Sequence, residues 1–320
     1  MRVAFIGGTR FVGPVSVRLL VDAGHEVCVA HSGSHEPDLP AAVEHLHGSR
    51  KELLAGGGRV ERWRPDALVD TFAGGAGAEK ARALGECAGR AGAGHVIAVS
   101  SVDVYQHCVE AGLGDGSGAA ALPSEPLPLR EDVSSLRARP YPGAHAGHDN
   151  VAMEAALGAC FGKVTALRPG SIYGPHADTR EWFIVDLVRR GVRRLELPDG
   201  GVQLFHRVAV ERVGRAVLAA LERAPDGFWA CNVVDPVDWE YAGLAGSIGR
   251  LLSWEWEPVR VPFEESDHPW QTRHPVLASD ERLRHVLGVM EPAPEAALRE
   301  CVEWLWENRD ELAGGSGRLD

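Results

Sequence analysis

Apolar positions along this chain switch between two periods. Val3-Ala4-Phe5-Ile6 is a continuous apolar run of the length of a buried parallel strand. The turn Gly7-Gly8-Thr9-Arg10-Phe11-Val12-Gly13 follows, and Val15, Leu19 and Leu20 then recur at helical spacing. The pattern predicts a helix over 14–23, with Pro14 in its first turn and Gly24 at its stop. Strands are predicted over 26–30, 65–72, 95–101, 164–168, 205–210 and 231–234, and helices over 79–91, 150–161, 213–223, 244–252 and 296–307. Strands alternating with helices indicate an α/β fold with a parallel sheet. Residues 109–138 are rich in Gly, Pro and charge and read as a lid, a binding loop or a disordered stretch. Residues 314–320 read as a frayed tail.

The first strand, turn and helix form the opening half of a dinucleotide-binding βαβ unit. Gly7 permits the tight turn, and Gly13 lets helix and strand approach closely. Gly8, Thr9, Phe11 and Val12 complete the loop, and Arg10 stands where the middle glycine is usual. The helix amides and dipole would face a diphosphate. The alternative is a tight turn with no ligand. The second strand ends in His31-Ser32-Gly33-Ser34, which offers neither a carboxylate for a ribose nor an arginine that selects a 2′-phosphate. NAD and NADP therefore both remain open. In open parallel sheets ligands lie beyond the carboxyl ends of the strands, which here carry Phe72, Ala73, Ser100, Ser101, Asp103 and Tyr105.

Composition narrows the partners. Across 320 residues, a hydrophobic content of 45% is that of an ordinary globular protein. The formal charge of −12 argues against a nucleic-acid backbone as the main partner. Six scattered cysteines form no CxxC pair, so reduced thiols and a cytoplasmic location are expected. No apolar stretch approaches the roughly twenty residues that span a bilayer, so no membrane association is expected. His35, His45 and His47 lack ligand spacing on a helix and read as solvated loop or strand-edge residues, so no metal site is expected.

GGTRFVG, the SSVDVY run at 100–105 and LRPGSIYGP at 167–175 together resemble the extended, atypical short-chain dehydrogenase/reductases. This is the NAD-dependent epimerase/dehydratase family, in the branch where arginine replaces the central glycine. The resemblance implies a Rossmann-type doubly wound parallel sheet with a smaller, discontinuous C-terminal substrate lobe. Residues 1–174, joined by about 205–235, would hold NAD or NADP, and 175–204 with 236–320 would form the lobe. It also implies a nucleotide-sugar-like small molecule as substrate, and cofactor contacts from Asn150, Pro169 and Ile172. It leaves open a homodimer, since family members pair through helices.

The family's hydride chemistry uses a Ser or Thr, and a Tyr and Lys spaced as YxxxK. Ser101 matches the first role, but Ala146 and Asn150 stand at the Tyr and Lys positions counted back from Glu154. Only Lys163 lies near. Three readings follow. His148 (or His145) transfers the proton; Tyr141 does so from a loop, with Asp103 as an extra acid/base; or the chain is a dinucleotide-binding sensor or scaffold without turnover. RNA binding is a further reading, disfavoured by the charge. Asp149 could simply cap the helix that begins near Asn150, Tyr105 reads as core, and Arg168 as a brace for the strand-end loop.

Overall fold

A computed structural model describes residues 1–72, 75, 77–114, 122–138, 140–141, 144, 147–177, 179–266, 268, 272–290 and 293–314. The strands are β1 (Arg2–Ile6), β2 (Glu26–His31), β3 (Glu44–His47), β4 (Ala67–Asp70), β5 (His95–Val99), β6 (Lys163–Pro169), β7 (Ser171–Tyr173), β8 (Arg194–Pro198), β9 (Arg207–Ala209), β10 (Gly227–Val233) and β11 (Glu257–Val261). The helices that matter below are α1 (Val12–Asp22), α2 (Arg50–Leu54), α3 (Arg59–Trp63), α4 (Ala78–Ala91), α5 (Gln106–Glu110), α6 (Asn150–Cys160), α7 (Glu181–Arg189) and α8 (Val210–Arg223).

Seven strands form one parallel sheet in the order β10-β6-β5-β4-β1-β2-β3. The chain builds outward from β1 through β2 to β3, then crosses to β4 on the other side and continues outward. This doubly wound, Rossmann-type order places a topological switch point between β1 and β4, where the carboxyl ends open a crevice. The strands are apolar on both sides because helices cover both faces. On one face Val3, Phe5, Val27 and Val29 pack with Val17 and Leu20 of α1 and with Val213, Val217 and Ala220 of α8. On the other, Ala4, Ile6, Leu68, Val96 and Ala98 meet Leu84 and Ala88 of α4 and Met153 and Leu157 of α6. A third core gathers Tyr105, Tyr173, Ile184, Leu195, Leu244 and Leu305, and two small parallel sheets, β7-β9 and β8-β11, sit outside the main one. Arg207 is buried there between Glu181 (3.0 Å) and Asp238 (2.7 Å), tying β9 to α7.

Predicted and observed elements differ at several points. The first helix begins at Val12, two residues early, because the glycine bend supplies its own turn: the Gly13 N–H bonds the Arg10 carbonyl at 2.9 Å. Pro14 then sits where its missing N–H is still surplus to the helix. The strand predicted over 205–210 shortens to Arg207–Ala209, since the Ala209 N–H is taken by the Asp235 carboxylate (3.2 Å) and α8 starts at once. The polar stretch after residue 36 contains β3, an edge strand short and hydrophilic enough to escape a periodicity test. Of the long loop, α5 takes the start and residues 135–137 lie antiparallel to 104–106, where Gln106 N–H bonds Ser135 O (2.9 Å) and Arg137 N–H bonds Val104 O (2.8 Å). The remainder over 115–121, and the tail after 314, lie outside the described residues.

His95, at the start of β5, is buried with its Nε2 2.9 Å from Thr165 Oγ1. Burial, helped by the Lys163 charge, lowers its pKa from the ordinary 6.5 to about 4. Between these values the unfolded chain binds a proton that the folded chain does not. Stability from neutral His95 is therefore present above pH 6.5 and is lost as pH falls toward 4. Urea unfolding across that window should show an acid loss on the order of 3 kcal/mol that the His95→Gln variant lacks; equal pH slopes in both proteins would contradict this assignment.

Candidate active site

The glycine bend is built by steric exclusion. Gly7 and Gly8 adopt positive φ (82° and 67°), a region disfavoured for side chains. A Cβ on Gly13 would overlap the Gly8 backbone, and one on Gly8 would overlap the Phe5 ring. The bend abuts the end of β4, since a Cβ on Gly7 would lie 3.4 Å from Thr71 Oγ1, and it is pinned to β2 by Gly7 N–H to Ala30 O (2.9 Å). Phe11, with φ 45°, leads into α1 with no side-chain cap and no acidic residue in the first turn. Those amides lie at the switch point, in a bend where Arg10 is exposed and Thr9 part-exposed. Such a cradle fits the diphosphate of a dinucleotide.

The ends of the neighbouring strands carry the other sequence-predicted residues. Phe72 (φ 49°) is buried in the core, its N–H bonded to Asp70 Oδ1 at 2.7 Å and its ring covered by the Arg50 guanidinium. Ala73 lies outside the described residues. Pro169 ends β6 and is buried; Ile172 is part-buried in β7. Ser100 is committed to the interior, donating to Glu154 Oε1 at 2.6 Å. Glu154 is paired with Arg168 (2.7 and 3.0 Å), Arg168 donates to Tyr105 Oη (3.0 Å), and Tyr105 donates to Asn232 Oδ1 (2.7 Å). This buried chain of bonds joins β5, α6, β6 and β10 and holds the strand-end loop, the structural roles expected of Tyr105 and Arg168.

Asp103 is the centre of the candidate site. It lies in a single 3-10 turn after β5, and that turn is capped by Ser101, whose Oγ accepts the Asp103 N–H (3.1 Å). The buried carboxylate gathers three donors from two segments distant in sequence. His148 Nε2 approaches Oδ2 at 3.0 Å, Asn150 Nδ2 reaches Oδ1 and Oδ2 at 3.0 and 3.2 Å, and Arg137 Nη2 stands 3.5 Å from Oδ1. Arg137, only 1% exposed, also donates to the Asp103 carbonyl (2.8 Å) and to Asp149 (3.3 Å). Asp149 caps α6 through Ala152 N–H (3.1 Å). Asn150 therefore holds the acid beside the histidine. In the tautomer whose Nε2 donates to Asp103, His148 Nδ1 is an acceptor on a part-exposed ring, and Asn150 Nδ2 also lies 3.3 Å from Nε2. The Ser101 hydroxyl, accepting from the backbone, keeps its proton to donate.

Tyr141 stands at the rim, its ring centroid 6.1 Å from that of His148 and 5.7 Å from the Arg137 guanidinium. Burial and the Asp103 charge raise its pKa, the reverse of what a proton acceptor needs. His145 and Ala146 lie outside the described residues. Lys163 opens β6 at the opposite edge of the sheet, paired with Asp226 (3.2 Å), so it does not stand in for the family's lysine. His206 uses both ring nitrogens on backbone, Asp235 O (2.6 Å) and Ala278 N–H (3.1 Å), and is structural. Sequence reading missed Arg137, whose only sign was a cation inside a loop. It also missed a cluster of His31, His45, His47 and Glu36 at the end of β2.

No protein-family model matches the chain. It is 24% identical over 311 residues to the chloroplast stem-loop binding protein of 41 kDa b of Arabidopsis thaliana, spanning 90% of this chain and 74% of that one. The UDP-glucose 4-epimerase of Thermotoga maritima, solved with UDP-glucose, superposes with a TM-score of 0.72 at 20% identity, over 98% of this chain and 100% of that one. An epimerase of Methanothermobacter thermautotrophicus gives 0.73 at 18% identity, covering 98% and 94%. The UDP-glucose 4-epimerase of Bifidobacterium longum, solved with NAD+ and UDP, gives 0.70 at 12% identity, covering 97% and 99%. The fold is the Rossmann-like fold of these epimerases.

The buried ion pair behind this site should be costly to break. Glu154→Ala leaves Arg168 charged and unpaired, and a loss of about 3–5 kcal/mol in urea unfolding is expected; a change under about 1 kcal/mol would show that the network is not what holds the strand end.

Proposed function

We propose that the chain is an NAD(P)-dependent oxidoreductase of the epimerase/dehydratase type, acting on a nucleotide sugar or a related hydroxylated metabolite, with His148 in place of the Tyr–Lys pair. The observation that carries this reading is the 3.0 Å bond between His148 Nε2 and the buried Asp103 carboxylate, beside Ser101 at the end of β5. The switch-point crevice and glycine bend supply the dinucleotide site, and the Bifidobacterium epimerase of the same fold, solved with NAD+, supports the cofactor. Residues 1–174 with 205–235 form the cofactor domain, and 175–204 with 236–320 the substrate lobe.

When bound, the nicotinamide supplies the hydride acceptor and donor. The chain does the rest. The bend amides, α1 and Arg10 bind the diphosphate. Ser101 donates its hydroxyl proton to the substrate oxygen and holds the carbinol in place. His148 Nδ1 takes the carbinol proton as the hydride leaves, and Asp103 stabilises the imidazolium. Arg137 and Asn150 keep Asp103 oriented and compensate its burial. An imidazole needs no neighbouring lysine to accept a proton, so the missing lysine does not stop the chemistry.

A second reading has a specific observation behind it. The Arabidopsis relative is a stem-loop binding protein, so nucleic-acid binding has a precedent in sequence. The charge of −12 opposes it. Turnover of a UDP-sugar panel separates the readings. His148→Ala should lower kcat by about 10²–10⁴-fold with dinucleotide affinity intact, Ser101→Ala should lower it as well, and Tyr141→Phe should lower it less than about tenfold. Dinucleotide binding without turnover in the wild type would favour a sensor or scaffold; salt-sensitive retention of a stem-loop RNA at physiological ionic strength would favour the second reading.

A further inference from the structure

Three histidines and a glutamate converge at the carboxyl edge of the sheet, outside the candidate active site. His45 and His47 are two apart on β3, so strand periodicity puts them on one face. His31 is the register partner of His47 on the adjacent parallel strand and faces the same way. Glu36, in the loop that joins the two strands, folds back over the rings. One ligand-capable atom from each of the four side chains lies within 4.8 Å of all the others. His31 Nε2 is 2.9 Å from His45 Nδ1, and the Glu36 carboxylate is 3.2 Å from His45 Nδ1 and 2.8 Å from His47 Nε2. A helix-based spacing test fails here because the period is two.

We propose that these four residues form a site for a divalent transition-metal ion of the zinc class. Three imidazoles and one carboxylate are the borderline-soft donor set that such ions prefer, whereas magnesium and calcium favour oxygen ligands. Tetrahedral bonds of about 2.1 Å place ligand atoms roughly 3.4 Å apart, so the present spread needs only a small inward movement. That movement is available in the right places. His31 is buried and fixed by the sheet, while the side chains of His47 and Glu36 are about half exposed, 50% and 53%. Two existing bonds have to yield: the one between His31 Nε2 and His45 Nδ1 (2.9 Å), since both nitrogens turn lone pairs to the metal, and the Gly33 N–H that points at His31 Nδ1 (3.2 Å), which carries a proton when Nε2 binds a metal. Gly33 is an exposed residue in a turn with φ 80°, and its N–H can turn to water. Four protein ligands make a closed, structural type of site. Its effect is to clamp residues 32–43 onto the sheet edge and to tie down β3, the last strand of the sheet among the described residues. The site stands independently of the dinucleotide reading, since the test needs no cofactor.

The full-length chain, stripped with chelator, is titrated with Co²⁺ and then with Zn²⁺, while visible absorption and bound metal per chain are measured. One Co²⁺ per chain with the strong ligand-field bands of a four-coordinate ion, displaced by Zn²⁺, and a melting temperature raised by Zn²⁺, are the expected results. The His45→Asn/His47→Asn double variant should bind at least about 100-fold more weakly and lose the thermal shift. Glu36→Gln, a change at an exposed side chain that spares the fold, should bind about tenfold or more weakly and shift the cobalt spectrum even if the double variant fails to fold. No binding, a pale six-coordinate spectrum, or affinity unchanged in Glu36→Gln would overturn the proposal.

Discussion

Gly13 lies so close to the Gly8 backbone that no side chain fits between them, and this contact fixes the angle at which α1 leaves β1. Everything downstream inherits that angle. It seats Val17 and Leu20 against Val27 and Val29 of the sheet and against α8, so one face of the molecule closes around it. It also leaves the first amides of α1 uncapped at the switch point between β1 and β4. The same exclusion that makes the core tight thus leaves those amides free of a side-chain cap, and the proposed diphosphate site lies there.

The second constraint is electrostatic. A carboxylate as buried as Asp103 is tolerated only when donors surround it, and the chain supplies a histidine, an amide and a guanidinium from two further segments. That requirement folds the 130s loop back along the 3-10 turn and sets the start of α6 in place. One consequence is chemical: the group that answers the acid's need for a donor, His148, keeps its second ring nitrogen on a part-exposed ring. The Glu154–Arg168 pair plays the matching role one layer deeper, holding the backbone on which Ser101 and Asp103 stand.

How much of this was legible depended on range. Strong local periods showed β1, β5, α4 and the body of α8, and the glycine spacing showed the bend, because each signal sits within a single element. The expectation of a parallel, doubly wound sheet followed from their alternation. β3 stayed hidden because four residues with a polar outer side make no pattern, and with it went the convergence of His31, His45 and His47, which exists only through strand register. Asp103 and His148 could be nominated singly from a strand end and a helix start. Their pairing joins positions 45 apart and could not be read. Ser100 shows the opposite error: its strand-end position was visible, but its hydroxyl faces Glu154 inside the protein rather than the crevice.

Every step proposed for the site depends on a dinucleotide held at the bend between β1 and α1. Isothermal titration of NAD and of NADP into the full-length chain tests this without knowledge of the substrate. Saturable binding of one dinucleotide per chain, by at least one of the two, is the result predicted. Absence of measurable heat and of any displacement of a fluorescent adenine dinucleotide, for both cofactors at millimolar concentration on the order expected for weak sites, would contradict it.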